Sequence, residues 1–499
     1  MYSITAKGIR KSFAGKTVLS GANLTLVEGK RLALIGENGS GKSTLLKIIC
    51  GELQPDGGEL FGQEFGCAYI AQDFSGDDTE TPEEFLLRRG HRLHKATKYL
   101  DESGFSIGKD GERLRNVRCG DLSGGEKKKL EIAAGLASGS MFIALDEPEN
   151  HLDYQTIEWL VSALSKFRGG IAFVSHDQYL IDQLADTILE LEDGTITAYS
   201  MGYEDYLAEK ERQVAGQAQQ WSFEEKTIKR LRKTVEMMKL RAQRTPDTAA
   251  TYRQTKRRLG ELEARHGRKP TAEQEKPKVS LSDVDQKKGK LIVSVKNASF
   301  SYGHNRIFVD ANAELWFGEK AVLFGPNGSG KSTLIKLITR ELSPDEGSAG
   351  IGVNVHSQFM TQDHLAGIDP AQTALDVFER TLKWRESKAR ACLARYGINV
   401  DLATRQLAVL SGGQQARFKL ALTFAQEPEF LMLDEPTNHV DPPTWEAIVE
   451  AVKGYSGTVL AVTHDRAFID AIAEKLWIIQ DRKIRVEPGN LSEYLERIR

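Results

Sequence analysis

The chain has 499 residues, of which 40% are hydrophobic and 27% charged, and its formal net charge at pH 7 is −3. This length implies two or more domains, and the composition is that of a soluble protein whose halves can each bury an ordinary core. No apolar run approaches the length of a bilayer span, and Met1–Phe13 alternates basic with small apolar residues. These patterns argue against a transmembrane protein and a secretory signal, so we expect no membrane partner and a cytoplasmic location.

Four cysteines are scattered along the sequence without the paired spacing of a zinc or iron–sulfur site. They are Cys50, Cys67, Cys119 and Cys392. We expect them to be packing residues in a reducing compartment.

Two copies of a phosphate-loop sequence lie 289 residues apart. Gly36–Thr44 and Gly325–Thr333 both fit the pattern G-x-x-x-x-G-K-[ST], each between an apolar strand-like run and a helix-like run, which is the context that this pattern requires. The strand-like runs are Arg31–Ile35 and Lys320–Phe324, and the helix-like runs are Leu45–Ile49 and Leu334–Ile338. The repetition predicts one nucleotide-binding domain written twice.

The residue types of these loops are suited to nucleotide phosphates. Glycines let backbone N–H groups turn towards phosphate oxygens, the lysine neutralises the β- and γ-phosphates, and the hydroxyl group after it can hold Mg²⁺. The predicted ATP-binding residues of the loops are Gly36, Asn38, Gly39, Gly41, Lys42, Ser43, Thr44, Gly325, Asn327, Gly328, Gly330, Lys331, Ser332 and Thr333.

Other landmarks recur at nearly the same offset. Phe13 and Tyr302 each precede the first loop glycine by 23 residues, and either ring could stack on adenine or pack in the core. Gln72 and Gln362 each follow a short strand-like run.

A Leu-Ser-Gly-Gly sequence opens a basic, helix-like stretch in each copy. Backbone amides at the N-terminus of such a helix could bind a phosphate. The residues concerned are Ser123, Gly124, Gly125, Ser411, Gly412 and Gly413.

An Asp-Glu pair ends an apolar strand-like run in each copy, with the glutamate 24 residues after the serine. The pairs are Asp146–Glu147 and Asp434–Glu435. The aspartate suits Mg²⁺, directly or through water, and the glutamate suits a general base that polarises an attacking water.

A histidine lies 29 residues after each glutamate and ends another apolar strand-like run. These residues are His176 and His464. A single histidine at a strand end is usually structural, but the matched spacing favours a contact with the γ-phosphate.

The middle of the chain is strongly basic. Between Lys226 and Lys269 there are fifteen Lys or Arg residues against four acids, so the segment carries +11 and the rest of the chain −14. Good helix formers over 206–244, then Thr245-Pro246 and a second helical run to about His266, predict a helical hairpin. The segment could be a solvated spacer, but its one-sided charge favours a hairpin that contacts RNA backbone.

The order of these motifs resembles that of ATP-binding-cassette ATPases. Two such cassettes joined by a basic helical linker, with Leu145–Asp153 and Leu433–Asp441 close to the family pattern, resemble the ABC-F family. The tip, Arg241–Arg258, is similar to the tRNA-interaction motif of that family. The resemblance implies an α/β fold of two P-loop ABC ATPase cassettes and a long α-helical hairpin linker. The implied domains are residues 1–205, 206–289 and 290–499.

The resemblance also implies ATP and Mg²⁺ as cofactors and a head-to-tail pair of cassettes within a monomer. One site would join Lys42, Gln72, Asp146, Glu147 and His176 to Ser411-Gly412-Gly413, and the other would join Lys331, Gln362, Asp434, Glu435 and His464 to Ser123-Gly124-Gly125. Glu147, Glu435, His176 and His464 would be catalytic, and the implied Mg²⁺ residues are Ser43, Gln72, Asp146, Ser332, Gln362 and Asp434.

The implied partners are the 70S ribosome near its exit site, P-site tRNA and rRNA. The predicted RNA contacts are Arg241, Arg244, Arg253, Lys256 and Arg257, although phosphate contacts are interchangeable among basic residues. In this family ATP binding joins the cassettes, and hydrolysis releases the protein from the ribosome.

Three differences between the motifs of the two copies imply that the first half hydrolyses ATP at a different rate. Glu126, Glu149 and Gln178 of the first copy correspond to Gln414, Thr437 and Arg466 of the second. The glutamine-to-signature segments have 51 and 49 residues, so neither copy has room for the arm insertion of many housekeeping members. Only 35 residues follow His464, so we also expect no basic C-terminal extension.

Three functions remain open from the sequence. The chain is either an ABC-F translation factor, an ABC-F antibiotic-resistance protein, or the duplicated ATPase subunit of a membrane importer. The missing arm favours resistance, whereas the short tip, Arg244–Ala249, favours a translation factor. The intact phosphate loops and the long basic linker argue against the importer subunit.

Overall fold

The computed structural model describes residues 2–36, 39–89, 93–105, 112–150, 152–175, 177–242, 246–265, 289–361, 365–437, 440 and 442–498. The chain divides into two compact units, one made of Met1–Tyr203 with Val279–Arg499 and the other of Glu204–Lys278. The first unit contains one arrangement of strands and helices twice, and the second contains two long helices. The predicted α/β class with two phosphate-loop domains and a helical linker is confirmed.

The strands of the two copies correspond one to one. Those of the first copy are β1 (Ser3–Phe13), β2 (Lys16–Val27), β3 (Arg31–Ile35), β4 (Gly57–Phe61), β5 (Cys67–Ile70), β6 (Phe142–Asp146), β7 (Gly170–Val174), β8 (Thr187–Glu192) and β9 (Thr195–Tyr199). Those of the second are β10 (Leu291–Tyr302), β11 (Asn305–Trp316), β12 (Lys320–Phe324), β13 (Glu346–Ile351), β14 (Ser357–Met360), β15 (Phe430–Asp434), β16 (Thr458–Val462), β17 (Lys475–Gln480) and β18 (Lys483–Pro488).

The helices follow the same repeat. The first copy has α1 (Lys42–Ile49), α2 (Pro82–Arg88), α3 (Leu93–Glu102), α4 (Glu112–Asn116), α5 (Gly124–Ala137), α6 (Tyr154–Ser165) and α7 (Gln178–Leu184). The long helices are α8 (Tyr203–Ala242) and α9 (Pro246–Arg265). The second copy has α10 (Lys331–Ile338), α11 (Ala374–Leu382), α12 (Glu386–Arg395), α13 (Val400–Ala403), α14 (Gly412–Phe424), α15 (Pro442–Gly454), α16 (Arg466–Ile472) and α17 (Leu491–Ile498).

Each copy has a six-stranded sheet that brings the phosphate loop and the Asp-Glu pair to one edge. In the first copy the strand order is β5-β6-β7-β3-β8-β9, and only the pair β8–β9 is antiparallel. The second copy repeats this order as β14-β15-β16-β12-β17-β18. Because the carboxyl ends of parallel strands lie at the same edge, the phosphate loop after β3 lies near the Asp-Glu pair that ends β6.

Alternating residues of the central strands pack on the two faces of this sheet. Phe142 and Ala144 of β6 pack with apolar residues of β1, β2 and α1. In the second copy, Phe430 and Met432 of β15 lie in the corresponding cluster, whereas Leu431 and Leu433 lie in a separate cluster with helical residues such as Phe418. Three layers therefore form, with a small antiparallel sheet (β2-β1-β4 or β11-β10-β13) on one face and helices on the other.

The strand predictions at the phosphate loops are confirmed. The predicted runs Arg31–Ile35 and Lys320–Phe324 are β3 and β12 with the same bounds, and both predicted helix runs lie inside α1 and α10. These strands are buried at nearly every position, because parallel strands in the middle of a sheet are covered on both faces.

The two helices of the middle segment are also confirmed, with one shifted boundary. The first begins at Tyr203 rather than Tyr206, where Glu204 and Asp205 suit the N-terminal turn of a helix. The second begins at Pro246 as predicted.

The two long helices contact each other. Ile228 of α8 and Leu259 of α9 are buried, and Arg232 Nε donates a hydrogen bond to Glu263 Oε1 at 2.6 Å. The helices therefore pair as a hairpin. The predicted tip residues 243–245 lie outside the described residues.

Helix α8 is 40 residues long, but it contains many charged residues and is not apolar. Over the described part of the chain, no helix combines the length and the apolar character that membrane crossing requires.

Two of the four cysteines, although 17 residues apart, meet in the fold. The Sγ atoms of Cys50 and Cys67 lie 2.8 Å apart, where the end of α1 meets the start of β5. Both are free thiols, and the hydrogen bond between them together with burial strongly raises the pKa of Cys50. The sequence spacing gave no indication of this pair.

Candidate nucleotide sites

The glycine before the lysine of each phosphate loop is required by the backbone. Gly41 and Gly330 both have φ 107° and cap the N-termini of α1 and α10. A Cβ atom would lie 2.5 Å from Val18 Cγ1 at the first position and 2.6 Å from Ile307 Cγ2 at the second. Only glycine fits, and the turn points backbone N–H groups of the loop and helix towards one place, as anion binding requires.

The loop lysines fold back over their own loops. Lys42 Nζ donates a hydrogen bond to the Gly36 carbonyl oxygen at 2.8 Å, and Lys331 Nζ donates to the carbonyl oxygens of Gly325 at 2.8 Å and Pro326 at 3.0 Å. Burial lowers the pKa of Lys331, and the nearby carboxylates, Glu435 first, oppose this shift. Both ammonium groups are thus held above the loop, where a phosphate would provide a counter-charge.

The first Asp-Glu pair lies in a hydrogen-bonded network. Tyr69 donates its hydroxyl hydrogen to Asp146 Oδ2 at 2.8 Å. Gln72 Nε2 and Asn150 Nδ2 both donate to Glu147 Oε2 at 2.8 Å. The predicted glutamine therefore contacts the predicted general base, and two amide groups orient the carboxylate.

Both glutamates have a backbone conformation that side chains rarely adopt. The φ angle is 44° at Glu147 and 49° at Glu435. In each case the N–H group bonds across to the adjacent strand, to Val174 O at 3.0 Å and Val462 O at 2.8 Å. Such strain, about 1–3 kcal/mol per residue, is typical of functional sites. The sequence gave no sign of it, although its occurrence in both copies indicates a shared requirement.

The side chain of the second glutamate is largely buried. Burial, followed by repulsion from Asp434, raises the pKa of Glu435 to about 7. His464 Nε2 lies 3.9 Å from Glu435 Oε1, and burial, followed by the charge of Lys331, lowers the pKa of His464 to about 4. The histidine is therefore neutral at pH 7, while the glutamate can accept a proton near that pH.

The raised pKa of Glu435 predicts a pH dependence for the second site. In a Glu147→Gln variant, which leaves Glu435 as the only predicted base, kcat/KM should rise about tenfold between pH 6 and pH 8, because the ionised carboxylate is the active form and kcat/KM reports the free enzyme. Steady-state phosphate release across this range measures the effect. A profile that is flat, or that falls with pH, would contradict it.

The two aspartates have different surroundings. Asp146 Oδ1 is buried and, among the described residues, no donor lies within hydrogen-bond reach of it. An uncommitted carboxylate oxygen beside a serine-bearing phosphate loop fits Mg²⁺, which takes one or two carboxylates, waters and phosphate oxygens. Burial raises the pKa of Asp434, and Phe359 stands where the first copy has the Tyr69 hydroxyl.

The two aromatic rings are exposed rather than packed in the core. Phe13 is 46% exposed and Tyr302 49% exposed, each at the end of the first strand of its copy. Lys11 Nζ lies 5.7 Å from the Phe13 ring centre. The core-packing alternative for these residues is therefore wrong, and both rings are available to stack on a base.

The signature serines cap helices. Ser123 caps α5 and accepts a hydrogen bond from the N–H of Glu126 at 3.3 Å, and Ser411 caps α14 and accepts one from Gln414 at 3.4 Å. The two glycines that follow each serine form the first turn, where backbone N–H groups have no partner within the helix. This local geometry suits a phosphate, and which loop each signature faces stays a prediction.

Several contacts join the two copies within the first unit. The Asn327 N–H group of the second phosphate loop donates to Asp153 Oδ2 of the first copy at 2.9 Å. The rings of Tyr154 and Phe324 lie 4.7 Å apart, and Arg466 Nη2 lies 3.3 Å from Glu158 Oε1. The start of α6 in the first copy therefore rests on the phosphate loop of the second. In the sequence, Asp153 was only the last residue of the family-like run Leu145–Asp153, and nothing indicated this contact.

Comparison with known proteins identifies the repeated domain. Residues 19–150 and 308–438 match a family model described as ABC transporter, and residues 189–281 match a second model with the same description. The chain is 30% identical to ABC transporter F family member 5 of Arabidopsis thaliana over 99% of this chain and 77% of that protein. The chain belongs to the ABC-F family. It is a twin-cassette ATPase that binds ATP and hydrolyses it to ADP and phosphate, as predicted.

Other ABC-F relatives and two solved structures are similar over nearly the whole chain. Ribosome protection protein VmlR of Bacillus subtilis is 28% identical over 99% of this chain and 90% of its own length, and ATP-binding protein Uup of Escherichia coli is 30% identical over 96% and 80%. The archaeal ribosome recycling factor aABCE1, in a complex with stalk protein aP1, has a TM-score of 0.67 at 20% identity, covering 98% of this chain and 92% of that one. The protein called RNase-L Inhibitor gives the same TM-score at 19% identity, covering 99% and 92%. These structures support the fold.

The differences between the two ABC-F cassettes have structural consequences. Glu149 Oε1 accepts a hydrogen bond from Ser175 Oγ at 2.7 Å. The Arg466 guanidinium group lies 3.9 Å from the ring centre of Tyr179, in contact with the first cassette, where its counterpart Gln178 has no positive charge. The seam between the cassettes is therefore asymmetric.

Some predicted residues cannot be placed in this ABC-F structure. Asn38, His176, Gln362 and Arg244 lie outside the described residues, as does Asp441, and the side chain of Arg241 is not described. Their roles, and the division at residues 205 and 289, stay predictions.

Proposed function

We propose that this ABC-F protein binds the 70S ribosome near its exit site in the ATP-bound state and modulates translation through its helical hairpin. The hairpin would contact P-site tRNA and rRNA, and ATP hydrolysis with Mg²⁺ would release the protein. The protein would act in the cytoplasm as a monomer. The relatives named for ribosome protection and ribosome recycling support the choice of partner.

The hairpin surface carries the proposal. The basic side chains that the structure describes there are exposed rather than buried in the seam between α8 and α9. They include Lys226, Lys229, Arg230, Arg232, Lys233, Lys239, Arg253, Lys256, Arg257 and Arg258. Arg257 shares an ion pair with Glu261, but both side chains are more than half exposed, so water and salt screen that pair. A surface of this charge on an otherwise acidic chain is suited to the phosphate backbone of RNA.

The hairpin proposal predicts a salt-dependent loss of ribosome affinity. Replacing Arg253, Lys256 and Arg257 with alanine should weaken ATP-dependent ribosome binding at least about tenfold and reduce the slope of log K against log salt by about 2, since each phosphate contact contributes about 0.7–0.9. Co-sedimentation at several salt concentrations measures both values. The matched control replaces three exposed lysines outside the hairpin, Lys95, Lys453 and Lys483. Equal binding by the two triple variants would refute the RNA contact.

An antibiotic-resistance role within the same family is the second candidate. One observation favours it: the match to a relative named as a ribosome protection protein covers 90% of that relative's length. Drug susceptibility of cells that express the chain separates the two, because a translation factor would leave it unchanged.

A further inference from the structure

A buried lysine outside the phosphate loop reaches into the first nucleotide site. Lys128 lies one turn into α5, the helix that Ser123 caps, and it is 4% exposed. Its Nζ atom lies 2.7 Å from the Ala71 carbonyl oxygen, 3.2 Å from that of Gln72 and 3.4 Å from that of Asp146. An ammonium group has three hydrogens to donate, and three carbonyl oxygens are present to accept them.

These three acceptors belong to two different parts of the site. Ala71 and Gln72 follow β5, and Gln72 is the residue whose amide group bonds to the Glu147 carboxylate. Asp146 ends β6, directly before Glu147. Lys128 therefore ties the segment that carries the glutamine to the strand end that carries the glutamate.

A second buried charge on the same helix holds the same segment. Glu131 is fully buried, and its Oε1 atom accepts a hydrogen bond from the Ser75 N–H group at 2.9 Å. Glu131, Glu149, Asp146 and Glu147 are the carboxylates whose charges act on Lys128 and oppose the effect of burial, which lowers its pKa. The Lys128 ammonium group is thus hydrogen-bonded to backbone carbonyls and has carboxylates around it.

At the corresponding position, the second cassette has no lysine that could make this connection. Counting from the signature serine, the residue that corresponds to Lys128 is Ala416, which is buried in α14 and has no side-chain donor. The residue that corresponds to Glu131 is Lys419. The difference between the cassettes is therefore built into the helix that begins at the signature.

We propose that Lys128 is a positioning residue for ATP hydrolysis in the first site, where it sets the placement of Gln72 against Glu147 and links that site to the signature helix of the same cassette. This proposal rests on the proposed catalytic roles of Glu147 and Glu435. It does not depend on ribosome binding. The second cassette has Ala416 at the position of Lys128, so loss of Lys128 slows the first site and spares the second.

The test measures ATPase activity of the full chain without ribosomes, in two single-glutamate backgrounds. In Glu435→Gln, where the first site supplies the turnover, Lys128→Met should lower kcat about tenfold or more and change KM less than twofold, because a misplaced catalytic group costs rate rather than binding. In Glu147→Gln, the same substitution should leave kcat within twofold. Lys127→Met is the control, since the neighbouring Lys127 makes a surface ion pair with Asp78 at 2.7 Å.

The outcomes separate the proposal from simpler explanations. Equal losses of kcat in both backgrounds, or a lower melting temperature with fewer ATP sites, would mean that Lys128 only maintains the fold, and the proposal would be overturned. An unchanged kcat in the Glu435→Gln background would overturn it as well. Full activity of both single-glutamate parents would refute the glutamate assignment, and the proposal with it. Failure of ribosome binding would leave these results unaffected.

Discussion

The Glu147→Gln, Glu435→Gln double variant is expected to hydrolyse ATP at least about a hundredfold more slowly than the unmodified protein while it still binds ATP. A general base contributes roughly 10²–10⁴-fold to such reactions, and glutamine keeps the shape of the side chain but cannot accept the proton. Each glutamate follows its strand end with a positive φ, so the backbone already aims the side chain, and the substitution should leave that geometry intact. Phosphate release and binding of a fluorescent ATP analogue measure the two properties.

The same double variant tests the ribosome proposal. If ATP joins the cassettes and hydrolysis releases the protein, the variant should accumulate on 70S particles in the presence of ATP and not in its absence. A control with Glu59→Gln and Glu346→Gln changes two exposed carboxylates and should behave like the unmodified protein. ATP binding without comigration would refute the proposed partner, whereas an unchanged hydrolysis rate would refute the role of the two glutamates.

The sequence was most informative where local pattern determines structure. The runs at 31–35 and 320–324 are strands with the predicted bounds, because buried parallel strands are continuous apolar segments with sharp ends. The loop glycines were equally informative, since positions such as Gly41 and Gly330 have no space for a Cβ atom. Because each motif occurs twice, each structural prediction could be made again from the other copy.

The sequence was least informative where distant segments meet. The contact between Asp153 and Asn327 joins residues 174 positions apart, and that between Cys50 and Cys67 depends on how α1 ends beside β5. Lys128 stands in a run of three lysines, 127–129, and such a run is usually a solvated helix face. Lys128 is buried because its side of α5 faces the ends of β5 and β6. This packing cannot be predicted from the charge pattern alone.

Removing a phosphate-loop lysine should eliminate tight ATP binding at its own cassette. Lys42→Met and Lys331→Met keep the length of the side chain and remove its charge, so each variant should bind one ATP tightly instead of two. A charge-assisted hydrogen bond contributes about 1.5–3 kcal/mol, which corresponds to roughly a 10- to 100-fold loss of affinity at the altered site. Isothermal titration gives both the stoichiometry and the affinity.

The loss should be larger than that of an ordinary surface charge, because the lysine already occupies its working position. Lys331 Nζ is held by two loop carbonyls, and burial has removed much of its water, so a phosphate oxygen gains a counter-charge with little reorganisation. Lys47→Met and Lys336→Met provide matched controls, since these exposed lysines lie in the last turns of the same helices. If Lys331→Met still bound two ATP molecules tightly, the loop lysine would not be the group that binds the phosphates in the second cassette. Lys42→Met tests the first cassette in the same way.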